Sequence, residues 1–570
     1  MKTFAIKARK KLIDEILDRI QMFSLDSKTE LPNLLPKNPV KQECFLQLQR
    51  QIEENDVLSV AEQAACVWFH RLVSIWFMEV NEYLPTEPFF SRFSPNGFKR
   101  NDVDADTLEE KEEMQYWKTY GYTEQEAAAQ ILFMRVCSQL GRIFPQLFSC
   151  YAQPVDFLIP KFHVDSVIYE FLSLPKEDFV LSQGGQAEMI GWLYQYFHTE
   201  RKEETFALLQ KNIKITKERI PAATQLFTPD WIVRYMVENS VGKLWLEQHP
   251  NAELEEKWTY YLKSNNTFSR EKYSTELRPQ DITILDPCMG SGHILVYAFD
   301  ILMDIYGSQG YTKREAAGQI IANNLYGLEI DDSVSELAHF VIMMKARFYD
   351  ETILEQSRCV HICSIQESNE ITDNLRQEIW QQFSMLEEEE RLAIDFVIDA
   401  FRDAKTYGSC LQMTQRFQPK FYEKTARRLR EIITDNTFDF NLEQWAIINQ
   451  WFPLLIALLE QADLLTRTYL VTITNPPYMG KKSLNKKIST FLERNYPNGK
   501  SELYAAFILR CKAFTKEFGY FSMVTMHTWM FLTSFQKLRL EILKHNHIES
   551  MVHAGAATFE ELNSFNVLAA

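Results

Sequence analysis

Residues 475–478 read Asn475-Pro476-Pro477-Tyr478 and follow a run of apolar and β-branched side chains from Tyr469 to Thr474. The pattern predicts a buried strand that delivers an amide, a rigid diproline turn and an aromatic ring to one place. Proline fixes φ and carries no N–H. The Pro476 carbonyl can therefore project as an acceptor beside the side-chain oxygen of Asn475, which is also an acceptor. Two acceptors aimed at one –NH2 group hold it and draw its lone pair out of conjugation with its ring. The face of Tyr478 suits a flat base, a stacking contact of about 1–3 kcal/mol. The chemistry these types serve is the gripping and activation of an aromatic amino group. Taken alone, the same four residues also make an ordinary proline turn after a strand.

A second constellation lies upstream. Asp286 closes a predicted strand from Asp281, Pro287-Cys288-Met289-Gly290-Ser291-Gly292 turns, and a helix is predicted from His293 to Ile305. Glycine allows tight turning and close approach of backbone to a ligand, and helix N-termini favour anionic groups. Many nucleotide folds use such a turn. Here, however, only 18 of 570 residues are glycine, less than half the usual share of about 7%, so two in one turn carry weight. A further strand, Asn324 to Ile330, brings Glu329 to its carboxyl end, where an acid can hold both hydroxyls of a ribose. The 43 residues from Asp286 to Glu329 exceed the ~20 of a dinucleotide fold, and a predicted helix from Lys313 to Asn323 fills the excess. That spacing argues against a hydride-transfer cofactor.

In that order, DPCMGSG, Glu329 and NPPY resemble the motifs of amino-group DNA methyltransferases that use S-adenosylmethionine. Gln225 to Val233 (QLFTPDWIV) is similar to the segment before the glycine turn in adenine-N6 enzymes of the γ arrangement. The resemblance implies an α/β fold, a Rossmann-like S-adenosylmethionine-dependent methyltransferase core, with no metal. It implies that Thr228, Asp286, Pro287, Gly290 and Gly292 surround the cofactor's amino acid moiety, with Glu329 on the ribose and Ile330 against the adenine ring. It further implies double-stranded DNA as partner, with a flipped adenine. Asn475 and Pro476 hold its amino nitrogen, Pro477 stiffens the turn, Tyr478 stacks on the base, and the methyl group moves by direct displacement. Cytosine N4 is the alternative target; the γ order and the Asn at the first motif position favour adenine. Relatives place an acid after a third strand, predicted here at Cys359 to Ile365, but this chain has Ser364, Ile365 and Gln366.

Two more segments, Trp68 to Pro85 and Ala187 to Phe197, resemble signatures of the PglX (BrxX) methyltransferases of BREX phage-defence systems. The likeness covers most of the chain and implies self-marking of host DNA alongside other BREX proteins. Read by their own periodicity, both are amphipathic helices, with Leu72, Ile75, Trp76, Met78 and Val80 expected in a core.

The remaining residues must position these groups. Residues 1–205 read as a helical N-terminal domain, 206–366 as the cofactor-binding half, 367–466 as a helical insertion and 467–570 as the catalytic half. The insertion holds helical stretches from Leu375 to Lys405 and from Lys420 to Ile433. After the NPPY motif a helix (Ser501 to Phe518), a strand (Gly519 to Thr525), a helix (Phe535 to His545) and a strand (Ile548 to His553) predict a parallel sheet. The last residues, from Phe565, read as the start of a strand. Relatives continue with a DNA-reading part, so the target recognition domain is expected to be absent and the chain a truncated form.

A net charge of −16 is awkward for a protein that must meet phosphates. Lys481, Lys482, Lys486 and Lys487 answer it locally, as an expected flexible basic loop where the backbone of a flipped nucleotide should lie. The hydrophobic content of 46% and mean hydropathy of −0.26 allow two or three sizeable domains. No run approaches the ~18 apolar residues of a membrane span. Nine scattered cysteines do not form a disulfide framework. A cytoplasmic enzyme is expected. Two other functions compete. A fused restriction–modification enzyme needs a nuclease, for which Asp104 with Glu109-Glu110-Lys111 is the one tempting string. A non-catalytic, cofactor-binding subunit of a defence complex needs only the first half of the site.

Overall fold

The computed structural model describes residues 1–23, 39–94, 97–99, 107–148, 154–163, 165–210, 228–263, 276–356, 360–383, 385–413, 417, 420–434, 440–481, 483–555, 559 and 566–569. Gln225 to Phe227, Asp104, Cys359 and Lys482 lie outside them. The chain divides into two compact units, Met1–Arg201 and Lys202–Ala570.

The first unit is helical. In helix Val57–Val80 every residue from Trp68 to Met78 is buried, which an apolar stretch of this density requires. The two PglX-like segments pack on each other there. Phe69 stacks on Phe197 with centroids 4.4 Å apart, and His70 lies 5.0 Å from Tyr194. Cys66 Sγ is 3.3 Å from His198 Nε2. Burial pushes His70 and His198 down to about 3, which keeps both neutral at pH 7. Glu79 accepts from the backbone N–H groups of Phe89, Phe90 and Ser91 and so fixes the loop beyond the helix.

Arg71 forms a buried ion pair with Asp156 at 2.5 Å and also donates to the Leu147 carbonyl. Arg71→Ala strands the Asp156 carboxylate in the core and is expected to cost about 3–5 kcal/mol. Urea unfolding of the full chain, followed by the fluorescence of the tryptophans, measures it. Glu110, from the string once compatible with a nuclease, closes a capping box with Thr107 and pairs with Arg135. That carboxylate serves helix Leu108–Thr119.

A seven-stranded sheet organises the second unit. Its strands are β1 (Ile284–Asp286), β2 (Leu325–Glu329), β3 (His361–Ser364), β4 (Tyr469–Thr474), β5 (Thr515–Met526), β6 (Met551–Gly555) and β7 (Asn566–Ala569). They lie in the order β3-β2-β1-β4-β5-β7-β6. From β3 to β5 neighbours run parallel. The all-parallel expectation is corrected at the far edge, where β7 enters antiparallel between β5 and β6. Ten residues separate Gly555 from Asn566, fewer than a parallel crossover needs.

Helices α1 (Asp230–Val237), α2 (His293–Ser308), α3 (Lys313–Asn323) and α4 (Asp332–Tyr349) accompany the first strands. The insertion supplies α5 (Asp373–Gln382), α6 (Glu388–Ala400), α7 (Phe421–Thr434) and α8 (Leu442–Thr466). Their apolar faces share one core with Leu285, Tyr326 and Leu328 of the sheet. The helical stretch read from Leu375 to Lys405 is thus divided among α5, α6 and a short helix, Ala404–Tyr407. Phe383 leaves helical geometry and buries its ring, and Glu387 with Glu390 caps a fresh start.

After β4 come α9 (Lys486–Asn495), α10 (Leu503–Phe514) and α11 (Gln536–His545). The helix read as reaching Phe518 stops at Phe514, because Thr515 turns extended to pair with Tyr469. Phe518, at φ 62°, sits in the irregularity before pairing resumes at Val471 and Tyr520. No helix among the described residues is long and apolar enough to cross a membrane.

Candidate active site

Parallel pairing in register brings the carboxyl ends of β1, β2 and β4 to one edge, with Asp286 opposite Gly327 and Ile284 opposite both Leu325 and Val471. The strand order departs from β1 in both directions, through β2 on one side and β4 on the other. A crevice opens at such a switch point. Asp286 ends β1 fully buried; its Oδ1 accepts from the Cys288 N–H at 3.0 Å, and its Oδ2 has no hydrogen-bond partner. Burial pushes this carboxyl up to about 7; the nearby Thr474 hydroxyl offsets part of that without a well-formed bond.

Glu329 ends β2. Its Oε2 accepts from the Gly290 N–H at 2.9 Å, and Oε1 from the Ile330 and Asp331 N–H groups at 2.8 and 3.2 Å. Burial also pushes Glu329 up to about 7. The carboxylate thereby locks the glycine turn to the second strand. Gly290 and Gly292 have φ of 53° and 84°, a region that costs other residues strain. A side chain at Gly292 would also press on Ala338, 3.2 Å away, whereas Gly290 faces open space.

The tetrapeptide leaves β4 directly opposite. Asn475 Nδ2 donates to Thr228 Oγ1 at 3.0 Å, and the Tyr478 hydroxyl donates to Asn475 Oδ1 at 2.7 Å. The amide is held at both ends, and Oδ1 keeps one lone pair. Burial raises the Tyr478 phenol well above its ordinary range, so it stays a donor. Its ring stands edge-on to Tyr504, with centroids 6.3 Å apart.

One cleft of about 920 Å³, counted out to its mouth, is lined by both constellations: Pro287, Gly290, Glu329 and Ile330 from one side, Asn475 and Pro477 from the other. Asp286, Gly292, Pro476 and Tyr478 stand behind these, outside the lining. Thr228, assigned by resemblance to the cofactor's amino acid end, is also the hydrogen-bond partner of Asn475. The expected basic loop is corrected. Lys486 and Lys487 head α9, which Asn485 caps, and Lys481 and Lys487 pair with Glu493 and Asp403. Asn485 is a strong N-cap, and it starts a helix where the lysines alone read as solvated loop.

The segment Thr406 to Cys410, at the end of the insertion's first helices, also lines the cleft. Sequence reasoning missed it. The Ser409 hydroxyl donates to the Pro287 carbonyl, Arg510 donates to the Ser409 carbonyl and Tyr496 to that of Cys410, while Tyr407 stacks on Phe491 at 4.3 Å. Gly408, another glycine in a glycine-poor chain, sits where an added Cβ would lie 4.0 Å from Ile330, and that scarcity was a usable signal. At the end of β3, Gln366 donates to Asp332 and Ser364. The acid near this strand comes from the start of α4.

Residues 323–559 match the family described as Eco57I restriction-modification methylase. Over 99% of its length the chain is 32% identical to the adenine-specific methyltransferase PglX of Lacticaseibacillus casei (strain Zhang), covering 49% of that protein. Over 90% it is 31% identical to the adenine-specific methyltransferase BrxX of Escherichia coli O9:H4 (strain HS), covering 44%. The chain spans about half the length of these curated relatives. A solved structure of a nuclease-deletion mutant of the Type ISP restriction-modification enzyme LlaGI, in complex with a DNA substrate mimic, aligns with 100% of this chain and 34% of its own. Its 12% identity and TM-score of 0.40 carry no argument.

Proposed function

We propose that this chain, a member of the PglX and BrxX family through nearly its whole length, is the cofactor-binding and catalytic part of an adenine-N6 DNA methyltransferase. The observation that carries the reading is the single cleft lined by Gly290, Glu329 and Ile330 on one side and by Asn475 and Pro477 on the other. S-adenosylmethionine fits the residues present: an orphaned buried carboxylate oxygen on Asp286 for a cation, an acid at the end of β2 for a ribose, and a glycine turn open to approach. When bound, it supplies a methyl group made electrophilic by its sulfonium charge.

The chain's own residues do the rest. Asp286 receives the amino group and Glu329 the ribose hydroxyls, while Ile330 and the Tyr407–Gly408 turn enclose the adenine. Asn475 Oδ1 and the Pro476 carbonyl accept from the two N–H bonds of the target amino group, which draws its lone pair out of conjugation with the base. Thr228 and the Tyr478 hydroxyl hold the Asn475 amide in that orientation, and the Tyr478 ring borders the base. No strong base is required, since a methylated amino group loses its proton readily to water; positioning dominates. The substrate is double-stranded DNA with the adenine turned out. The setting is cytoplasmic self-marking of host DNA beside other BREX proteins.

Incubating the full chain with tritiated S-adenosylmethionine and mixed-sequence DNA, then digesting to nucleosides, tests this directly. N6-methyladenine is the expected product. Label in N4-methylcytosine reassigns the target, and cofactor binding without label in any nucleoside leaves a non-catalytic subunit.

A further inference from the structure

The carboxyl end of β5 lies beside that of β4, with Thr474 opposite Met523, and the chain that leaves it carries two large apolar side chains into solvent. Phe531 is 66% exposed and Leu532 50%. They are not loose. Trp529 and Phe535 are buried on either side. The Trp529 indole donates to Thr525 Oγ1, and Arg539 donates to the carbonyls of both Trp529 and Leu532 at 2.7 Å. A tip pinned this firmly keeps its apolar side chains in water at the expense of burial. The tip is also tied to the tetrapeptide behind the cleft: the Thr528 and Tyr504 hydroxyls lie 2.8 Å apart, and Tyr504 packs edge-on to Tyr478. Thr533, Ser534 and Lys537 follow, all exposed, and offer two hydroxyls and a cation.

We propose that Phe531 and Leu532 form a wedge that enters the duplex at the rim of the cleft and fills the space an extruded nucleotide leaves, while Thr533, Ser534 and Lys537 receive the flanking phosphates. Apolar side chains inserted between base steps stabilise unstacked DNA in this way. The inference rests on duplex DNA being the substrate, and it adds what holds the vacated stack open.

Two measurements on the full chain test it. In the first, Phe531→Ala and Phe531→Trp are assayed for methyl transfer to synthetic mixed-sequence duplexes, either fully paired or with abasic sites opposite the adenines. Extrusion costs least from an unpaired position, so Phe531→Ala should lose about tenfold or more on paired DNA and no more than about twofold on the other. Phe531→Trp should restore most of the loss. Equal loss on both substrates, or none on paired DNA, overturns the wedge; equal loss is also the result if the tip docks a protein instead. In the second, 2-aminopurine replaces adenine and no cofactor is added. A fluorescence rise with the wild-type chain that Phe531→Ala abolishes supports the wedge even if methyl transfer fails. An equal rise with both proteins, or no rise with either, overturns it.

Discussion

Asn475→Ala is expected to bind S-adenosylmethionine and to transfer almost nothing. The amide offers one of two acceptors for the amino group, and deletion of a single aimed hydrogen-bonding group at a reacting centre costs about 10²–10³ in turnover. Cofactor affinity should change by less than the roughly tenfold that one neutral hydrogen bond explains, because Asp286 and Glu329 lie on other strands. Tyr478→Phe separates orientation from stacking. It keeps the ring and removes only the hydroxyl that donates to Oδ1, so turnover should fall by no more than about tenfold with little change in KM for DNA. Single-turnover transfer beside calorimetric titration of the cofactor reads both. Loss of binding and turnover in equal measure from Asn475→Ala overturns the division of labour between the two sides of the cleft.

Cofactor affinity is expected to fall steeply below neutral pH. Burial pushes both Asp286 and Glu329 up to about 7, with the Glu329 charge adding to the rise at Asp286 and the Asp331 charge to that at Glu329. A ligand carrying an ammonium group and hydroxyl donors needs the carboxylates ionised. If one must lose its proton on binding, the apparent Kd rises about tenfold between pH 8 and pH 6; if both must, the rise is on the order of a hundredfold. Titration calorimetry across that window, in buffers of different ionisation enthalpy, gives the slope and counts the protons released. The sign reverses for the fold without ligand. A carboxyl whose folded pKa is raised stabilises fully below its unfolded value near 4, and loses that contribution as pH climbs through 7. Asp286→Asn should therefore raise the Tm at pH 8 and leave it unchanged at pH 4, while weakening the cofactor. A flat affinity profile from pH 8 to 6 contradicts the roles given to both acids.

The chemistry-bearing residues were legible because local rules suffice for them. Asp286, Glu329 and Asn475 each follow a short apolar run, so each was readable as standing at a strand end, and the glycines of the turn stood out in a chain that has few. Local rules failed where distant segments decide. Lys486 and Lys487 read as loop, yet they head a helix, and Lys487 pairs with Asp403, 84 residues away. The bond from Asn475 to Thr228 spans 247 residues, and no local pattern announces it. Nothing in the string Thr406 to Cys410 says that Arg510, Tyr496 and the Pro287 carbonyl will clamp it over the cleft.

By itself, then, the amino-acid order determined that two acids, Asp286 and Glu329, and one amide, Asn475, stand at strand ends. Only the tertiary structure decided that those ends open into one cleft, that the antiparallel β7 enters between β5 and β6, and that an apolar tip is joined through Thr528 and Tyr504 to Tyr478. Spacing along a chain encodes period and turn. The meeting of β1 with β4 depends on sheet order, and sheet order is set by how all the buried faces pack at once.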